Sequence, residues 1–126
     1  MRTEQLLERL EFHNDHAYSE PLFVDMHGRI LRFTLKPGQS IAEHNAPHSP
    51  FYVVVLQGYG IFSGKEGQEQ RVGPNTLLIF EPAENHSIRA LEENLVFVGF
   101  LQGIPTTRPD RVGGELGRTE AQPPSL

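Results

Sequence analysis

From Arg29 to Leu101 the chain is broken into short apolar runs by turn residues at intervals of roughly 8–12 positions. Few architectures tolerate that spacing. Helices of a bundle need longer periodic stretches, and a parallel α/β sheet needs helical crossovers between its strands. What remains is a sandwich or barrel of short antiparallel strands. Leu31, Phe33 and Leu35 alternate with Arg32, Thr34 and Lys36, which is the period of a half-buried strand. Pro37-Gly38 turns the chain, and Gln39–His44 alternates again, with Ile41 and Glu43 set against Ser40, Ala42 and His44. Phe51–Leu56 is apolar throughout and rich in valine, as expected of a central strand buried on both faces. Ser63–Gly67 predicts a hairpin turn, Gly73-Pro74-Asn75 another, and Glu81–Asn85 and Glu92–Asn94 two more. Strands are predicted between them at Thr76–Phe80, His86–Ala90 and Leu95–Leu101.

Flanking segments read differently. Leu6, Leu7 and Leu10 fall at helical spacing and predict one short amphipathic helix over 4–10. His13 and His16 follow in a polar loop, and His27 beside Gly28 is a turn residue. Past Pro105 the chain is polar and rich in Pro, Gly and Arg, the composition of an extended tail. The predicted organisation is a lead-in over 1–20, a β-barrel over 21–105 and a flexible tail over 106–126 whose removal changes stability by less than about 1 kcal/mol.

Composition removes several functions. With 11 Lys and Arg against 16 Asp and Glu, the net charge of −5 and the absence of a basic run disfavour nucleic acid. No apolar stretch approaches the roughly 20 residues of a helical membrane span. Glu4 and Glu8 stand where a signal peptide would be apolar, so the expected setting is the cytoplasm. With no cysteine, disulfides and thiol catalysis are excluded. Gly58–Lys65 superficially suggests a phosphate loop, but Tyr59 replaces its first glycine and Glu66 its magnesium-binding hydroxyl. Asn85-His86-Ser87 fits a glycosylation pattern that has no meaning without secretion.

Three histidines, His44, His48 and His86, lie in or beside predicted strands. Neutral imidazole is a common ligand of zinc, iron, nickel and manganese, and a barrel can gather such ligands from distant strands. His44 and His48 are four residues apart, about 13 Å along a straight strand. They share an ion only if the chain bends at Pro47 and Pro50.

Pro37-Gly38-Gln-Ser-Ile-Ala-Glu-His44, followed by Tyr52-Val-Val-Val-Leu-Gln-Gly58, resembles the first sequence motif of the cupins. Gly73, Pro82 and His86 match the second motif in order. The resemblance covers residues 29–101 and implies an all-β, single-domain jelly-roll barrel. The second motif histidine falls at Ala46, the glutamate at Phe51, the second-motif glycine at Glu84 and the final asparagine at Ala90. By resemblance, only His44 and His86 occupy metal-ligand positions, with His48 as a substitute third ligand. Phe51 and Gln57 are the expected pocket residues, on one strand face. The expected cofactor is a divalent metal ion (Zn, Fe, Ni or Mn), which favours a small anionic ligand. Dioxygenase, isomerase and lyase chemistry stay open, as does a metal-free, non-catalytic binding module. A homodimer is also expected, with Leu22, Phe23 and Val24 offering apolar surface.

Overall fold

In a computed structural model describing residues 1–103, nine strands form two antiparallel sheets. They are β1 (Tyr18–Asp25), β2 (Gly28–Leu35), β3 (Ser40–His44), β4 (Phe51–Gln57), β5 (Gly60–Ser63), β6 (Glu69–Val72), β7 (Thr76–Phe80), β8 (His86–Ala90) and β9 (Leu95–Gln102). One sheet has the order β1-β2-β9-β4-β7, the other β3-β8-β5-β6. The expected tail over 106–126 lies outside the described residues.

The core is the space between the sheets. Leu31, Phe33 and Leu35 of β2, Phe51, Val53 and Val55 of β4, and Leu95, Phe97 and Leu101 of β9 meet Ile41, Phe62, Ile88 and Ala90 of the other sheet. Phe33 and Phe97 stack at 4.6 Å. These are the alternate positions of each run, so the period-two pattern identifies the inner face correctly. Gly58 follows from the same packing. Its φ is +80°, and a Cβ there would stand 2.0 Å from the Asn94 carbonyl oxygen, so no other residue fits without moving the backbone.

Two expectations fail on the outer face, for one reason. Residues 6–9 form turns instead of the helix predicted over 4–10, and Arg9 has a φ of 54°. Arg32, expected to face solvent, is buried. Its guanidinium donates to the carbonyls of Leu6 (3.0 Å), Glu8 (3.0 Å) and Arg9 (3.4 Å) and to the Glu20 carboxylate (2.8 Å). Thr34 donates to the Glu11 carbonyl, and Gln39 to that of His13. The arginine thus takes acceptors that a helix would use, and charge-assisted bonds outweigh one turn of weak helix propensity. The N-terminal segment is a strap laid across β1 and β2.

Two register shifts matter for the site. Between Ile41 and His44, β3 gains one residue over β8, and between Val55 and Gln57, β4 gains one over β9. Each is a bulge, which reverses the facing of every residue beyond it.

Candidate functional site

Strict alternation puts His44 on the face of Ser40 and Ala42, away from Ile41. The β3 bulge cancels that. Ile41 pairs with Ile88 and His44 with His86, so both histidines turn inward at the barrel end where β3 meets β8. Their rings meet edge-on, with centroids 4.3 Å apart and planes at 73°. Phe80 lies 4.6 Å from the His86 ring and Phe51 5.1 Å, both nearly parallel to it. His86 is only 2% exposed.

Hydrogen bonding assigns the tautomers. His44 Nδ1 sits 2.8 Å from the Ala42 carbonyl, an acceptor that the bulge itself presents. His86 Nδ1 sits 3.0 Å from the Glu84 carbonyl. A carbonyl only accepts, so both Nδ1 atoms carry the proton and both Nε2 atoms are bare lone pairs. Those two Nε2 atoms are buried and have no hydrogen-bond partner among the described residues. Burial pushes the His44 pKa down to about 3, reinforced by the adjacent His86. Burial also lowers His86 to about 4, opposed by the Glu84 carbonyl and the Glu84 charge. Both rings are therefore neutral at physiological pH. Each unmet acceptor costs about 1–3 kcal/mol in a dry interior.

The chain around the pair is fastened shut. Asn45 Nδ2 donates to Asn85 Oδ1 at 2.7 Å, and the Ala83 N–H donates to the Ala46 carbonyl at 2.9 Å. Buried Ser49 accepts from the Gln102 N–H at 2.8 Å, tying the same loop to the end of β9. The Glu84 carboxylate braces its own turn, accepting from the Lys65 and Glu81 amides.

The other expected site residues are not brought to the pair. His48 is exposed in the turn after His44, so the Pro47–Pro50 bend carries it outward, to solvent. Among the described residues, no three His, Asp or Glu side chains are gathered to hold an ion. Gln57 does not share the Phe51 face. The second bulge sets it opposite Val96, which alternates with inward Leu95 and Phe97. Phe51 does lie inside, against His86. Sequence reasoning missed Phe80, which period-two counting along Thr76–Phe80 would have placed inside, and the Asn45–Asn85 bond, for which no sequence signal exists.

A cupin domain model matches residues 31–99, more than half of the chain, from within β2 to within β9. The chain is a cupin. Solved structures share its form. An RmlC-like cupin protein from Desulfovibrio desulfuricans is 25% identical, with a TM-score of 0.72 over 80% of this chain and 96% of that one. A conserved protein with a double-stranded β-helix domain from Klebsiella pneumoniae is 19% identical, with a TM-score of 0.76 over 82% and 90% of the two chains. A predicted oxalate decarboxylase from Thermotoga maritima is 19% identical, with a TM-score of 0.64 over 70% and 81%. No curated protein matches the sequence.

Measured against this cupin's own residues, the family's metal fits in donor type only. Two neutral nitrogens carry lone pairs in the manner of ligating histidines, with the second ring nitrogen anchored on a carbonyl. No carboxylate joins them, and the aromatic ring of Phe51 lies against His86. A double positive charge there would have no ligating carboxylate among the described residues, only the field of Glu84 acting on His86 from outside the pair. The residues present do not make a cupin metal centre.

Proposed function

We propose that this cupin binds a small, neutral molecule bearing hydroxyl or N–H donors, held by His44 Nε2 and His86 Nε2 as paired acceptors. The supporting observation is the two buried, unpartnered lone pairs. A neutral imidazole rewards a donor and offers nothing to an anion, so the ligand expected with a metal is not the one expected without it. The flat rings of Phe51 and Phe80 beside His86 suit a planar or apolar ligand body. Access requires parting the Asn45–Asn85 and Ala83–Ala46 bonds, which makes the 45–50 loop the door.

A second reading rests on one observation, the anchored Nδ1 atoms. A divalent ion held by both Nε2 atoms would need an anionic ligand to complete its shell and balance its charge. The experiment separates the two. Small phenols, alcohols and amides are screened by ligand-observed NMR against the wild type and His86→Leu, each with and without equimolar zinc. Binding of neutral donors to metal-free wild type, lost in His86→Leu, is the expected result. Zinc retained by the wild type through gel filtration and lost in His86→Leu would replace this reading with the metal one. Binders unaffected by His86→Leu would place the ligand elsewhere.

A further inference from the structure

On the outside of the barrel, β1 carries a bulge of its own. Pro21 pairs with Leu31 and Phe23 with Ile30, so Leu22 is the extra residue. Alternation from Tyr18 and Glu20 puts Leu22 on the outer face, and the bulge puts Phe23 there as well. Phe23, Ile30 and Phe100 thus form one row across β1, β2 and β9, about 10 Å wide. With Leu22, Val98 and Leu6 of the strap, they line a groove of about 410 Å³, a volume typical of small-molecule sites. The strap wall is fixed without a ligand, because the buried Arg32 guanidinium donates to the Leu6 carbonyl at 3.0 Å. The bulge also positions a cation. Arg2 Nη2 lies 3.5 Å from the Leu22 carbonyl, and its guanidinium carbon lies 5.3 Å from the centre of the Phe23 ring. Arg2 and Glu4 are the charged residues of the lining. Their ion pair is one contact of 3.3 Å between side chains 64% and 47% exposed, a kind of pair that contributes little in water.

We propose that this groove is a second binding site, separate from the histidine pair, for a small carboxylate with an apolar body. The body lies along Phe23, Ile30 and Phe100, where binding removes apolar surface of both partners from water. The carboxylate takes the Arg2 guanidinium. A guanidinium has five N–H donors, and Arg2 uses one nitrogen for both of its acceptors, so donors remain for a ligand. The sign of the ligand's charge follows from how the two mouth residues are held. Arg2 is seated over the groove by Leu22 and Phe23, whereas among the described residues the Glu4 carboxylate is held by Arg2 alone. A ligand carboxylate therefore turns Glu4 out to solvent and leaves the cation where it is. An ammonium ligand would have to strip Arg2 of Glu4, Leu22 and Phe23 together.

Octanoate and octanol, titrated separately into the full chain by ligand-observed NMR, test this. Octanoate is expected to bind about tenfold more tightly than octanol, the worth of one charge-assisted contact. Arg2→Gln should remove that preference. Glu4→Gln should strengthen octanoate binding, because it removes the competing carboxylate. Phe23→Asp should abolish binding of both compounds, and Leu77→Ser, on the exposed face of β7, should leave it unchanged. All four side chains are exposed, so each variant should keep the wild-type far-ultraviolet circular dichroism spectrum. Equal binding of the two compounds, or a preference that survives Arg2→Gln, overturns the proposal. So does octanoate binding that Glu4→Gln weakens, that survives Phe23→Asp or that Leu77→Ser abolishes. A wild type that takes up neither compound, as it would if a second copy or residues 104–126 filled the groove, overturns it as well.

Discussion

Two parts of one barrel interior are chemically opposite. Along β2 and β9, Phe33 stacks on Phe97, among Leu35, Val53, Val55 and Leu95, and the inward-facing side chains are apolar. At the β3–β8 end, His86 lies against Phe51 and Phe80 and meets His44 edge-on, with two lone pairs unmet. The first region gains free energy from every atom it holds. The second gives some up, and only bonds that these rings can still form return it. Stability and recognition are thus separated within a few strand spacings, and the separation rests on one extra residue in β3.

Substitutions should divide along that line. Phe97→Ala strikes the satisfied region and should cost about 3–5 kcal/mol of unfolding free energy by urea titration. A loss below 1 kcal/mol would mean that the stacked wall is not what holds the barrel.

Acid should act on the other region. His44 and His86 titrate at about 3 and about 4 in the fold, against 6.5 for an ordinary histidine. Below pH 6.5 the unfolded chain therefore takes up protons that the folded chain refuses. Stability is complete above that pH and falls as the pH drops towards the folded values. Between pH 7 and 5.5 the pair should remove about 2–3 kcal/mol, and replacing both histidines by leucine should flatten that slope. An unchanged slope in the double variant would show that these rings ionise freely in the native protein.

His86→Leu alone should shift stability by no more than about 1 kcal/mol, because it removes an unmet acceptor together with one bond to a carbonyl. A loss of 3 kcal/mol or more would mean that Nε2 has a partner in solution. His48→Ala, on the exposed turn, should stay within about 0.5 kcal/mol and leave ligand binding untouched.

How much of this was legible in the sequence follows from which signals have a period. Alternation found the strands and most of the inner face, because side chains on a pleated strand change sides at every residue. Glycine, proline and asparagine marked the turns for steric reasons that act locally. Bulges have no such signature. One inserted residue at Ala42–Glu43 turns His44 inward, and one near Leu56 takes Gln57 off the Phe51 face, yet both runs read as unbroken strands. The helix over 4–10 failed because its spacing is a local preference, whereas Arg32 binds those carbonyls across more than twenty residues. The motif resemblance singled out His44 and His86, whose rings the fold sets side by side. It gave no account of His48, whose prolines bend it away from the pair.

The most direct test is a long-range proton–nitrogen NMR correlation of the histidine side chains in the ligand-free protein, followed from pH 8 to pH 4.5. The account predicts that His44 and His86 stay neutral with the proton on Nδ1 and a bare Nε2. A proton on Nε2 of either residue, or an imidazolium at pH 6, would contradict it.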